Sequence, residues 1–175
     1  NAAKQEIIRR YYAAMTNVTQ GMSDMSAATK IEFLMKQVGV TLDDRKVVAP
    51  ALAKAEETGL PAVALELPNG KIVTGKTSSL LGASSALLLN CLKELAGIPD
   101  DIDLISSTII EPVQRLKTEI MGNHNPRLHT DEVLIALTMS AVESTDAKKA
   151  FDVLNALSGS EVHSTVILSQ VDRDT

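Results

Sequence analysis

The sequence predicts an α/β fold: a three-layer α/β/α arrangement around a small mixed sheet, preceded by an N-terminal helical pair. Three observations predict it. Two β-prone runs, Ala62-Val63-Ala64-Leu65-Glu66-Leu67 and Lys71-Ile72-Val73-Thr74, flank Asn69-Gly70, the dipeptide most favourable to a tight hairpin turn. The run from Gly82 to Ala96 is apolar nearly all round through Leu87, Leu88, Leu89, Leu92 and Leu95, so it reads as a buried helix. After helical segments at 130–143 and 146–157, Val162 to Leu168 reads as a further strand.

The remaining elements follow in chain order. Residues 3–19 read as an amphipathic helix with Ile8, Tyr11, Tyr12, Met15 and Val18 on one face. A second helix spans about 26–38, with Ala28, Ile31, Leu34, Met35 and Val38 as its stripe and Gly39 as its stop. These make a helical unit over 1–40 and leave 41–175 for the α/β domain. Two short helices cannot bury both stripes against each other, so packing on other sequence or on a second subunit is expected. Thr41-Leu42-Asp43-Asp44 opens a third helical stretch running to Thr58-Gly59, which Pro50 should kink or restart. Leu104-Ile105-Ser106 reads either as a short strand or as the entry to a helix over about 107–121 with Pro112 near its start. Thr130 and Thr145 are the expected N-caps of the two following helices, and Ser158-Gly159-Ser160 is a turn.

Composition narrows the function classes. With no Trp and only Tyr11, Tyr12, Phe33 and Phe151, the chain lacks the aromatics that a single-stranded nucleic-acid platform stacks on. Its net charge is −5 and its basic residues are dispersed, so nucleic acid is not an expected partner. Cys91 lies in the apolar helical run, where it reads as a small hydrophobe, and a single cysteine forms no internal disulfide. That fits a reducing, cytoplasmic setting. No apolar run approaches the length of a membrane span, and no signal peptide is recognisable. The chain opens without Met and closes on Ser169 to Thr175 directly after a strand-like run, as expected of a segment of a longer protein.

One motif is rejected. Gly70-Lys71-Ile72-Val73-Thr74-Gly75-Lys76-Thr77 matches the phosphate-loop pattern GxxxxGK[ST] letter for letter. That loop needs small, flexible residues curling round a phosphate with a helix starting at once after the Lys. Here the middle residues favour an extended chain, and the first Gly belongs to the hairpin turn. The order of hairpin, polar loop and buried helix instead resembles the opening of the cytidine-deaminase-like fold. The zinc chemistry of that fold requires a ligand and a Glu near the helix start and a later Pro-Cys-x-x-Cys pair. This sequence has Gly82-Ala83-Ser84-Ser85-Ala86 there and no such cysteine pair, so neither zinc nor another cofactor is expected.

Three segments carry a closer resemblance: Asn69 through Asn90, Asn125-Pro126-Arg127-Leu128-His129-Thr130-Asp131-Glu132-Val133-Leu134-Ile135-Ala136-Leu137, and His163-Ser164-Thr165-Val166-Ile167-Leu168-Ser169. Over roughly residues 40–170 the chain resembles the C-terminal half of the bacterial domain of unknown function family 1846. The resemblance implies a larger cytoplasmic parent with an N-terminal half not present in this sequence. It implies no reaction and assigns no catalytic residues.

The candidate site residues lie in three loops. Lys76, Thr77, Ser78, Ser84 and Ser85 surround a helix start where hydroxyls, backbone N–H groups and a cation suit an anion. The same residues serve equally as helix and turn caps. His124, Asn125, Arg127, His129 and Glu132 cluster before the next helix. Arg127 suits a phosphate or carboxylate, and His129 with Glu132 suits acid/base work; the plainer reading is a loop pinned by its own hydrogen bonds. His163 and Ser164 sit on the last strand. His124, His129 and His163 match no short zinc spacing, so no metal is expected, and no Gly-x-Ser-x-Gly elbow marks a hydrolase. Two functions follow: a domain binding a small anionic metabolite, with a possible share in an active site, or a regulatory module that mediates homo-oligomerisation.

Overall fold

In the computed structural model, which describes residues 2–175, the Asn69-Gly70 pair turns the chain as its chemistry dictates. Gly70 takes φ 84°, in the left-handed region open to glycine, and its N–H donates to the Leu67 carbonyl at 2.8 Å. The Asn69 side chain accepts from the Lys71 N–H at 3.0 Å. Strands β1 (Ala62–Glu66) and β2 (Ile72–Lys76) therefore pair antiparallel, from Ala62 opposite Lys76 to Glu66 opposite Ile72. Residues 72–76 are committed to this ladder, which leaves the GxxxxGK[ST] stretch no cradle to form.

The third strand, β3 (Val162–Ser164), pairs with the other edge of β1, giving the order β2-β1-β3. It also runs antiparallel, so the sheet is antiparallel and not the expected mixed one. β3 is also shorter than the expected 162–168. The Ser164 hydroxyl donates to the Val166 carbonyl at 2.6 Å and accepts from the Val166 N–H, a local turn that competes with the ladder. Thr165 Oγ1 then takes the Ala62 N–H at 3.0 Å, and the chain leaves the sheet.

Helix α4 (Ala83–Ala96) is the hub, which explains why it is apolar nearly all round. Ala83, Leu87 and Cys91 pack on Val63, Leu65 and Leu67 of the hairpin. Leu89 and Leu92 turn the other way, against Ile110 of α5 (Ser107–Arg115), Val133, Ala136 and Leu137 of α6 (Thr130–Ser140), and Ala147 and Ala150 of α7 (Thr145–Asp152). Each fully buried Leu or Val in these clusters contributes about 1.5–3 kcal/mol relative to exposure. Leu104–Ser106 is the entry to α5, which runs on into a π-helical turn at Leu116–Ile120.

Two expected caps are displaced by one residue. His129, not Thr130, takes the N-cap of α6, and its N–H donates to Glu132 Oε2 at 2.8 Å. Ser144, not Thr145, caps α7 by accepting from the Ala147 N–H at 3.2 Å. In both cases the extended backbone lies one residue before the expected threonine. Helix boundaries are set by that backbone and not by residue type alone.

The chain divides into two compact units between Ala49 and Pro50. In the first, α1 (Ala2–Thr19) and α2 (Ser26–Val38) pack through Ile8 and Met35, with Val40, Tyr11 and Tyr12 completing the cluster. Phe33, Leu34 and Val38 of α2 stay exposed, as expected of two helices too short to bury both stripes. Helix α3 (Val48–Thr58) begins two residues before Pro50, so the proline is accommodated in a first turn. Among the described residues no helix is long and apolar enough to cross a membrane.

Candidate functional site

Beside α4 in the second unit lies a cleft of about 600 Å³, within the size range of small-molecule pockets. Its floor is apolar, from Leu65, Leu87, Leu88, Cys91 and Leu134. Its polar lining comes from Ser84, Thr130, the Ser158-Gly159-Ser160 turn, Asp172, Arg173 and Thr175. Helical spacing explains why α4 supplies Ser84, Leu87, Leu88 and Cys91, since residues three, four and seven apart share a face. Ser84 is the distinctive one. Its Oγ is buried and makes no hydrogen bond among the described residues, whereas buried hydroxyls are ordinarily paired. It sits in the first turn of a helix whose N-cap is Gly82, a residue with no side chain to cap it.

Burial pushes the Cys91 thiol up to about 12, with Glu94 adding to the effect, so it serves as an apolar wall and not as a nucleophile. Among the described residues Arg173 is the only cationic side chain in the lining and Asp172 the only acidic one. That acid is already engaged. Asp172 Oδ1 accepts from the Thr130 N–H at 3.1 Å and from Thr130 Oγ1 at 3.2 Å. Oδ2 lies 2.8 Å from Ser169 Oγ and 3.1 Å from His129 Nδ1. Burial alone would raise the Asp172 carboxyl, but hydrogen bonds from His129, Ser169 and Thr130 outweigh it and hold it below the usual carboxylate range. An ionised carboxylate can only accept, so the imidazole proton facing it sits on Nδ1. Ser169 and Asp172 both meet His129 on Nδ1, whereas a hydrolytic triad needs its serine on the opposite nitrogen.

The expected site residues separate into several places. Ser84 alone lines the cleft, and Ser85 beside it is fully buried and donates to the Leu128 carbonyl at 2.8 Å. Lys76 is exposed at the end of β2, and the Thr77 N–H donates to the Pro61 carbonyl. Ser78 Oγ accepts from the N–H groups of Leu80 and Leu81, and its carbonyl takes Arg127 Nε at 2.6 Å. That contact joins the first two loops, with Asn125 Oδ1 accepting the Arg127 N–H at 3.2 Å. His124 is exposed. Glu132 is held 2.7 Å from the buried Lys117 Nζ, which also donates to the Arg127 carbonyl at 2.6 Å. His163 is buried on β3 opposite Ala64, and Ser164 closes its own turn. Among the described residues no group of three or more His, Cys, Asp or Glu side chains is placed to hold a metal ion.

The family model "Domain of unknown function DUF1846, C-terminal" matches residues 43–175. The chain belongs to the DUF1846 family. Its DUF1846 relatives include a UPF0371 protein of Corynebacterium efficiens, 54% identical over 171 residues that cover 98% of this chain and 34% of the relative. A UPF0371 protein of Streptococcus thermophilus is 50% identical over 173 residues, 99% of this chain and 35% of the relative. One of Streptococcus pyogenes matches to the same extent. The chain thus spans about a third of the length of the curated relatives it matches.

Within this DUF1846 segment, sequence reading missed Asp172, Ser169, Arg173 and Lys117. Ser169-Gln170-Val171-Asp172 carries the Ser-x-x-acid pattern of a helix start, and it opens α8 (Gln170–Asp174). That signal was available. Nothing in the sequence showed that the Asp172 side chain turns from its own helix to α6.

Proposed function

We propose that the cleft binds a small anionic metabolite, as part of a larger cytoplasmic bacterial protein whose further length carries the rest of the activity. One observation carries the reading: Ser84, whose buried hydroxyl has no partner, lines a cleft in which Arg173 is the only cation among the described residues. A hydroxyl left without a partner costs about 1–3 kcal/mol, which a ligand oxygen would recover. The apolar floor favours an acid with an aliphatic or otherwise apolar body, its charged end toward Arg173. The proposal stops at binding. His129 is absent from the cleft lining and Glu132 is tied to Lys117, so neither is positioned for proton transfer there. Calorimetric titration of the full-length protein with phosphorylated metabolites and small dicarboxylates tests this. Saturable binding that Arg173→Ala weakens at least about tenfold supports the reading. Binding indifferent to Arg173, or none across the panel, rejects it. The three-layer arrangement of cytidine-deaminase type belongs to the same proposal, supported by the order of hairpin, polar loop and buried helix.

A second reading, the regulatory or oligomerisation module, is favoured by a separate feature. Ile135 and Met139 of α6 and Val142 just beyond it are all at least 60% exposed and follow the spacing of one helical face. Such a row suits contact with a second copy of the chain or with the rest of the parent protein.

A further inference from the structure

We propose that α8 is a strap on the cleft, fastened by the Asp172 carboxylate and able to let go without unfolding the domain around it. In a Ser-x-x-Asp helix start, the acid ordinarily reaches back to its own N-cap N–H. Asp172 instead reaches out of its helix. It accepts the Thr130 N–H, the Thr130 hydroxyl and the His129 ring nitrogen, all at the amino end of α6.

Apart from a 3.4 Å contact of Ser169 Oγ with His129 Nδ1, the other side-chain bonds of the segment stay inside it. Gln170 donates to Asp174, Arg173 Nε to the Leu168 carbonyl and Thr175 Oγ1 to the Val171 carbonyl. Ser169 Oγ donates to Asp172 and accepts from the Asp172 N–H. Among the described residues, then, the side-chain hydrogen bonds that tie α8 to another helix run mainly through the Asp172 carboxylate, with the longer Ser169–His129 contact beside it. Apolar anchoring is equally thin. Leu168 packs partly buried against the sheet-side cluster, while Val166, Ile167 and Val171 are exposed. A five-residue helix has no stability of its own, so its order depends on these two attachments.

The position of the strap gives it a consequence. Asp172, Arg173 and Thr175 line the cleft together with Leu168, so release of the carboxylate carries one wall away, including the cation. Control of ligand access by this wall rests on the ligand reading above; the strap itself does not.

Amide hydrogen exchange on the full-length protein, without ligand, tests it in two variants. Asp172→Ala removes the carboxylate and leaves only the long Ser169–His129 contact. His129→Ala removes the two contacts to the ring nitrogen and leaves the Thr130 N–H capped. The strap predicts exchange across residues 168–175 faster by about tenfold or more in Asp172→Ala and by a smaller factor in His129→Ala, with α4 and the body of α6 unchanged. Unchanged exchange at 168–175, or acceleration spread through α4 and α6, overturns it. Calorimetric titration of the wild type with inorganic phosphate and with succinate separates the two claims. Fast exchange in the variants with no binding of either probe rejects the ligand reading and leaves the strap standing.

Discussion

A β-carbon placed on Gly75 would lie 2.3 Å from the backbone nitrogen of Leu87 and 2.8 Å from the carbonyl oxygen of Ala83. Strand β2 therefore rests directly on the first turns of α4, backbone against backbone. This contact gives the second glycine of the GxxxxGK[ST] match a purpose unrelated to phosphate.

Gly75→Ala is accordingly expected to be severe. Neither neighbour is a flexible side-chain end, so strand and helix must separate. Overpacking of this kind costs about 1–3 kcal/mol where side chains can yield, and more where backbone cannot. Urea unfolding should show a loss of at least about 3 kcal/mol, or no folded protein. Lys76→Ala, on the same strand but exposed, should leave the midpoint within about 0.5 kcal/mol and leave any ATP binding unaltered.

The Lys117–Glu132 pair offers a second test. Lys117 is 3% exposed and Glu132 25%, so Glu132→Gln leaves a nearly buried ammonium with a weaker partner. A loss of about 2–4 kcal/mol is expected, with Lys117→Met milder because no orphaned charge remains. Equal effects from both substitutions would contradict that account.

Acid should loosen α8 selectively. Asp172 is held below its usual range in the folded state, so the stability it contributes is fully present above the ordinary carboxylate value of 3.8. That contribution is lost as pH falls through the lower, folded value. Exchange at residues 168–175 should therefore rise at the acid end of the profile, and Asp172→Asn should remove that rise.

Cys91 should resist alkylation in the native protein. Its thiol is raised to about 12 and fully buried, so thiolate is scarce and inaccessible near neutral pH. Modification by iodoacetamide should track unfolding by denaturant; rapid labelling of the folded protein would show the cleft floor to be open.

The hairpin, α4 and the helical order were legible because each rests on local chemistry: Asn69-Gly70, the apolar run from Gly82, and the glycine stops. The direction and length of β3 were not, since pairing with β1 joins residues about a hundred positions apart, and the hydroxyls of Ser164 and Thr165 cut the strand short. Among the site residues, Ser84 was visible as a polar residue at a helix start, but Ser85 beside it read the same way. Only helix rotation separates them, sending Ser85 inward to Leu128 and Ser84 to the cleft. Arg127 looked like an anion clamp, and the structure uses its Nε to hold the Ser78 carbonyl.

The central claim is that Ser84 is kept unpaired for a ligand, and one paired measurement on Ser84→Ala tests it most directly. Thermal unfolding of the full-length protein should show the variant at least as stable as wild type without ligand, because a buried unsatisfied hydroxyl has been removed. The small anion that stabilises the wild type by several degrees at saturation should then stabilise the variant much less. A variant that is less stable when empty, or that responds to the anion as the wild type does, would contradict the account.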